Sequence, residues 1–462
     1  MNVAIIGTGY VGLTTGACLA LLDHQVVCVD ADPEKILALQ RGDMPFFEPH
    51  LAEVVEDASR NLRFTTEYSE AIPQAHVIFI AVGTPPGPNG SPDLRYLEAA
   101  ARSIGETLGA HFTVIVNKST VPIGSGVWVD SLLREAFERK GKREGGSFAV
   151  ASNPEFLREG SALHDSLYPD RVVIGAAETS TAEVLYTLYR PILEQSFMAP
   201  PYLPRPEGVE AAPLISTDLA SAELIKYAAN AFLALKISYI NEIGQLAEKV
   251  GADIGQVAKG IGLDARIGSR FLQSGVGWGG SCFGKDTAAL VATAGEYTLD
   301  MPIVKAAREV NQRQRERVLN KLLAELQTLK GRTIGVLGLA FKPNTDDLRD
   351  APAVEVAKRL VERGARVRAH DPVAMERFRK ENPNSDVQCC HTAEDVAAGA
   401  DALVLLTEWP HYQDLNWEKL ARSMRSAILL DARNALDRAR LTRAGFRYAA
   451  LSQRTGQAAA AV

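Results

Sequence analysis

The run GVGWGGSCFGKD, from Gly275 to Asp286, sets a cysteine among glycines and close to one cation and one carboxylate. Its five glycines deny the run intrinsic helix or strand stability. Something else must order it, and a bound ligand is the natural candidate. A helix starting just after Cys282, suggested by DTAALVATA, would aim its amino-terminal dipole at the thiol. That dipole and Lys285 favour a thiolate, whereas Asp286 opposes the charge and could act as a base. Cys18 and Cys28 sit in apolar runs and read as inert.

Two further groups could serve the same chemistry. Lys226 and Asn230 are four residues apart, so on a helix they share a face and could make a compact donor pair for an oxyanion, although the spacing alone fits a solvated helix face better. The segment NPEFLREG, Asn153 to Gly160, puts Glu155 and Glu159 in a loop or first helical turn, where a carboxylate could serve as general base or merely complement a helix dipole.

A cofactor site is written at the start of the chain. GTGYVG supplies Gly7, Gly9 and Gly12 directly after the apolar strand Asn2 to Ile6, with Tyr10 and Val11 at the mouth of a helix. Gly7 permits a tight turn, Gly9 lets backbone approach a pyrophosphate, and Gly12 lets helix and strand pack closely. Asp30 ends the second strand, about 20 residues further on, where a carboxylate accepts from a ribose and repels a 2′-phosphate. NAD is favoured over NADP.

Stepping outward, the apolar runs at Gln25 to Val29, Val77 to Val82, Thr113 to Asn117 and Phe148 to Ala151 predict a parallel sheet covered on both faces. The order of events repeats from Gly331. Thr333 to Leu337 is a strand, Val354 to Arg363 a helix, and Arg366 to Ala369 a strand ending at Asp371. AHVIFIAVGTPP from Ala75 is answered by ADALVLLTEWP from Ala400, and TVIVNKST from Thr113 by AILLDARN from Ala427. The fold class is therefore α/β, with two Rossmann-like parallel-sheet domains. The second copy has GLAFKP from Gly338 in place of the glycine fingerprint. It should not bind a dinucleotide in the same manner, and a different nucleotide or a purely structural duplicate fit equally well.

Between the copies, Thr217 to Val250 predicts one uninterrupted helix on the order of 50 Å long, suited to joining two domains. Its apolar positions need a cover, which predicts a homodimer through the helical middle. Expected boundaries are 1–198 for the NAD-binding domain, 199–216 for a proline-rich linker or surface excursion, 217–325 for the helical middle, 326–453 for the second α/β domain, and 454–462 for a disordered tail.

Composition narrows the rest. The 462 residues, 46% hydrophobic and 23% charged with a net charge of −6, describe a globular chain without a basic surface for nucleic acid. Arg313, Arg315 and Arg317 read as a solvated helix face. No apolar run approaches the roughly 18 residues of a membrane span, and none resembles a signal peptide. Five cysteines without a CxxC pair and eight histidines without HExxH spacing argue against a disulfide framework or a metal site, and make the cytoplasm the expected compartment. His76 and His370 read as structural.

GTGYVG, KSTVP (Lys118 to Pro122), NPEFLREG, ELIKYAANAFLALKISYINE (Glu223 to Glu242) and GGSCFGKD together, in this order over nearly the whole chain, closely resemble the UDP-glucose/GDP-mannose dehydrogenases. The Cys282 loop is most similar to the members that act on UDP-glucose. The proline-rich stretch before Thr217 departs from the family pattern. The resemblance implies two successive NAD-dependent oxidations of a nucleotide sugar, UDP-glucose first and GDP-mannose or another as the alternative. It implies Cys282 as nucleophile, Lys226 and Asn230 as oxyanion donors, and Glu155, Asp286 and Thr120 as organisers of proton transfer and water. Lys35, Thr84, Thr120, Glu159, Lys285 and Arg349 would lie near the dinucleotide. Glu155, Phe156, Leu157, Arg266, Phe271, Gly279, Phe341, Lys342 and Arg433 would surround the sugar nucleotide, with Arg266 reaching in from a second subunit. A single-oxidation β-hydroxyacid dehydrogenase, which has no use for Cys282, and a silent nucleotide-sugar or NAD sensor are the competing readings.

Overall fold

The computed structural model describes residues 1–87, 90–140 and 147–453. The tail expected at 454–462 lies outside them. The chain divides into two compact units, Met1–Ala229 with Ala288–Leu299, and Asn230–Thr287 with Asp300 onward, so the division falls within the expected helical middle.

The first unit is built on an eight-stranded sheet. Its strands are β1 (Asn2–Ile6), β2 (Gln25–Val29), β3 (Leu62–Thr65), β4 (Val77–Ile80), β5 (Thr113–Asn117), β6 (Phe148–Ser152), β7 (Val172–Ala176) and β8 (Leu214–Thr217). They lie in the order β3-β2-β1-β4-β5-β6-β7-β8. All neighbours are parallel except β6 and β7. Every residue of β4 and β5 is buried, which explains the unbroken apolar sequence of β4 and the apolar centre of β5. Two apolar layers form on the faces. One collects Ile5, Leu13, Val26, Phe79 and Val116, and the other Ala4, Ile6, Ile78, Ile80 and Ile115. The alternation of Ile5 with Ala4 and Ile6 is the period-two consequence of the strand itself.

The proline-rich stretch is not a free excursion. Leu203 and Ala212 are buried in the first of these layers, the Tyr168 hydroxyl donates to Leu203 O at 2.8 Å, and the stretch ends in β8, paired in parallel with β7. Prolines hid the strand because they crowd the approach to it, and β8 is an edge where missing N–H donors cost least.

The second unit contains β9 (Thr333–Leu337), β10 (Arg366–His370), β11 (Gln388–Cys389), β12 (Ala402–Leu405), β13 (Ile428–Asp431) and β14 (Arg447–Ala450). They form an all-parallel sheet in the order β11-β10-β9-β12-β13-β14, which repeats the spatial order of β3-β2-β1-β4-β5-β6. Asp371 follows β10 as Asp30 follows β2. Its Oδ2 accepts from the backbone of Leu339 and Ala340 and from Trp409 Nε1, and its Oδ1 from Val373 and Ala374. The carboxylate is engaged by five donors of the fold and is 2% exposed.

The helix Leu219–Val250 is continuous. Arg315 and Arg317, expected on a solvated face, are instead packed. Arg315 is 7% exposed and pairs with Asp350 at 2.7 Å and with Glu355, while Arg317 pairs with Glu248 at 2.7 Å. Carboxylates distant in sequence neutralise what locally looks like a charge run. His76 Nδ1 accepts from Asn2 N, and His370 bonds the Tyr412 hydroxyl. No described helix is long and apolar enough to cross a membrane.

Candidate active site

In the first unit the dinucleotide turn has the packing its glycines predict. A Cβ on Gly7 would meet Ala81 O at 2.7 Å and one on Gly12 would meet Gly7 O at 1.9 Å, whereas a Cβ on Gly9 would meet nothing within 4 Å. Gly9 is exposed and precedes the helix Tyr10–Leu21, which contains Val11. Open space at a helix amino end, beside a residue without a side chain, fits a pyrophosphate. Asp30 Oδ2 accepts from Thr8 N, Thr8 Oγ1 and Lys35 Nζ, the last at 2.9 Å. Burial raises the Asp30 pKa, but the bonds from Lys35 and Thr8 outweigh it and hold the carboxyl below its ordinary range. The Thr84 hydroxyl donates to Thr120 O at 2.9 Å, so these two expected residues meet.

After β6 the NPEF segment turns inward. Glu155 and Lys226 form a buried ion pair at 2.8 Å, and Glu155 Oε2 also accepts from Leu157 N. Phe156 lies under this pair, its ring centre 5.5 Å from Lys226 Nζ and 3.7 Å from the Arg171 guanidinium. Glu159 is buried nearby in sequence, 8% exposed. Behind the pair is a residue that the reading of single side chains missed. Lys118 donates to Asn153 Oδ1 at 2.9 Å, which also accepts from the Tyr189 hydroxyl at 2.6 Å. Burial lowers the Lys118 pKa to about 8, Glu155 opposing and Lys226 reinforcing the shift. Glu223 was missed as well. One turn before Lys226 on the long helix, it accepts from Gly124 N and Gly126 N at 2.6 and 2.9 Å, anchoring that helix to the chain that follows KSTVP. Its carboxyl is pushed up by burial. Asn117, at the end of β5, has both side-chain polar atoms buried without a protein partner, beside a small pocket lined by Thr120, Ser152 and Lys226.

In the second unit the cysteine loop is held by hydrogen bonds from residues distant in sequence. Asn241 Oδ1 accepts from Gly275 N, Asn311 exchanges two bonds with Trp278, Gln314 donates to Gly275 O, and Gly280 N donates to Arg349 O. Residues 274–280 are buried, while Cys282 is half-buried. Gly280 has φ +85°, and a Cβ there would lie 2.7 Å from the Phe341 ring; one on Gly279 would lie 2.3 Å from Asp350 O. Cys282 directly precedes the helix Phe283–Glu296, its carbonyl accepting from Asp286 N at 2.8 Å, so the thiol sits at a helix amino end as expected.

Asp286 is completely buried and takes a donor on each oxygen, Asn230 Nδ2 at 2.6 Å and Lys285 Nζ at 2.7 Å. Lys285 is thus committed to a carboxylate, which offsets the help it was expected to give a thiolate. Arg433 donates to Leu406 O, Gly277 O and Phe341 O, joining the cysteine loop to the segment carrying Phe341 and Lys342. Arg349 pairs with Asp347 at its exposed rim. Arg266 pairs with Asp264 and is 89% exposed, so within a single chain it lines nothing. Phe271 stacks edge-on to Phe283, centroids 6.2 Å apart.

Three family profiles match the chain in order. Residues 1–193 match the NAD-binding domain of the UDP-glucose/GDP-mannose dehydrogenases, 220–313 their central domain and 335–438 their UDP-binding domain. The chain belongs to the UDP-glucose/GDP-mannose dehydrogenase family. It is an NAD-dependent dehydrogenase. A UDP-glucose 6-dehydrogenase of Rhizobium meliloti is 45% identical over 98% of this chain and 100% of its own length, and one from Bacillus subtilis is 43% identical over 97% and 92%. Among solved structures, a UDP-glucose dehydrogenase from Pyrobaculum islandicum superposes with a TM-score of 0.85 at 39% identity, covering 98% of both chains. A UDP-D-ManNAc dehydrogenase from Pyrococcus horikoshii gives 0.81 at 27% identity, covering 98% of this chain and 99% of its own. For this family member the exposed Gly9 and the hydrogen-bonded Asp30 are the features that suit the dinucleotide.

Proposed function

We propose that the chain oxidises UDP-glucose to UDP-glucuronate in two successive steps, with Cys282 as the covalent nucleophile. The observation that carries the reading is the half-buried Cys282 at the amino end of Phe283–Glu296, one turn from an Asp286 held by Asn230 and Lys285. The full-length relatives named for UDP-glucose support that sugar over the hexosamine oxidised by the more distant Pyrococcus protein.

NAD, when bound by the first unit, accepts a hydride in each oxidation. The chain's own residues do the rest. An alcohol carbon loses hydride readily once its hydroxyl proton is taken, but the resulting aldehyde has no oxyanion from which to expel a second hydride. The Cys282 thiolate adds to that carbon, forming a C–S bond and an alkoxide. Lys226 and Asn230 donate to the developing oxyanion, the kind of contact whose loss typically costs about 10²- to 10³-fold in turnover. Departure of the second hydride leaves a thioester on Cys282. Water attacks it, the C–S bond breaks, and the thiolate returns as the acid forms. Glu155, Asp286 and Thr120 organise the proton transfers and the water. Covalent attachment also retains the aldehyde.

A homodimer fits this chemistry. Leu224, Phe232, Tyr239 and Leu246 are exposed along one long helix at near-heptad spacing, an apolar stripe that a second copy would cover. On this reading Arg266 completes the site of that second copy, and cysteines that form no disulfide suit the cytoplasm. The test is NADH stoichiometry. Wild-type protein should form two NADH per UDP-glucose and none of the acid should form with Cys282→Ser; a full NADH yield from that variant would rule out the covalent route. Turnover on a panel including GDP-mannose checks the sugar.

A further inference from the structure

Glu48 has no place in the chemistry above, yet it is 6% exposed and tied to two segments of the first unit. Its Oε2 accepts from Gly160 N at 2.5 Å and from the Tyr10 hydroxyl, and its Oε1 accepts from Ala162 N at 2.7 Å. Gly160 N also lies 2.8 Å from the Tyr10 hydroxyl, and the Tyr10 ring stacks on Phe46 with centroids 4.4 Å apart. Tyr10 opens the helix that follows Gly9. Gly160 closes the loop that begins at Asn153 and carries Glu155 and Glu159. One carboxylate therefore holds the beginning of the dinucleotide helix against the end of the NPEFLREG loop.

Such a clamp is strong for its size, because a buried charged acceptor makes short bonds to several donors at once, and removing it leaves backbone N–H groups unsatisfied. We propose that Glu48 is a positioning residue for cofactor binding, fastening the Asn153–Gly160 loop to Tyr10 so that the space at Gly9 and the buried Glu159 are held ready for NAD. The inference rests on the reading of this unit as the NAD site and not on the identity of the sugar. It assigns Glu48 no contact with substrate or cofactor.

The test uses the full chain and two probes, NADH followed by its fluorescence and UDP followed by calorimetry. Glu48→Gln keeps the size but turns an amide N–H toward Gly160 or Ala162, and Tyr10→Phe removes only the shared hydroxyl. Glu48→Gln should raise the NADH dissociation constant about tenfold while the UDP value stays within about twofold, and the double variant should be no worse than Glu48→Gln, as expected of one shared unit. Unchanged NADH affinity would overturn the proposal. So would a parallel fall of NADH affinity, UDP affinity and unfolding midpoint, which is the mark of a general folding role. If Glu48→Gln fails to fold, the same split measured on Tyr10→Phe decides. A wild-type chain that binds NADH yet oxidises no nucleotide sugar would sink the proposed reaction and leave this inference to stand on the titration.

Discussion

Asn230 donates its side-chain amide to Asp286 Oδ2 at 2.6 Å, and Asp286 has no exposed surface. The residue expected to steady an oxyanion is therefore already steadying an anion of the protein. Asn230→Ala should lower kcat by about 10²-fold or more, because it takes away a donor and leaves a buried carboxylate short of one. Steady-state kinetics that showed only a raised KM for the sugar would assign Asn230 to binding.

The thiols should separate by environment. Burial pushes Cys18 and Cys28 up to about 12, so neither presents a thiolate near neutral pH. Iodoacetamide at pH 8 should modify Cys282 while sparing these two, and loss of activity should track that single site. Peptide mapping in which Cys18 or Cys28 labels as fast as Cys282 would contradict it.

Lys118 makes stability depend on pH. Its folded pKa of about 8 lies below the ordinary lysine value of 10.5 that the unfolded chain keeps, so between those values the unfolded chain binds more protons and native stability rises with pH. Below about pH 8 the cost of the buried charge is constant. Relative to Lys118→Met, the wild-type protein should gain about 2 kcal/mol between pH 7 and pH 9.5. Urea unfolding at the two pH values measures this, and equal pH dependence in both proteins would show that the ammonium is better solvated than its surroundings indicate.

At Gly280 a methyl group meets both a left-handed φ of +85° and the Phe341 ring. Gly280→Ala should destabilise the protein by about 2 kcal/mol or more, combining backbone strain with displacement of an aromatic ring. A thermal midpoint equal to wild type would mean that the loop and Phe341 give way together.

Much of this architecture can be read from the amino acids alone. GTGYVG lies between an apolar strand and a helix, and the structure packs Gly7 and Gly12 while leaving Gly9 open. The repeated strand order was legible because buried parallel strands are apolar throughout. What failed was anything decided by partners far along the chain. The glycines of the cysteine loop give no sign of the groups that bond it, Asn241, Asn311 and Gln314, which lie more than thirty residues away. The same holds for Arg315, neutralised by Asp350 and Glu355. Lys118 was visible within a motif but not its burial, and Glu48 belongs to no pattern of catalytic residues.

The fate of Asp371 bears on how a duplicated fold loses a ligand. With both its oxygens occupied by N–H donors from three separate segments, this acid has become an internal strut. Restoring a glycine fingerprint after Thr333–Leu337 would therefore still leave a carboxylate only 2% exposed, with next to no open surface to offer an incoming hydroxyl.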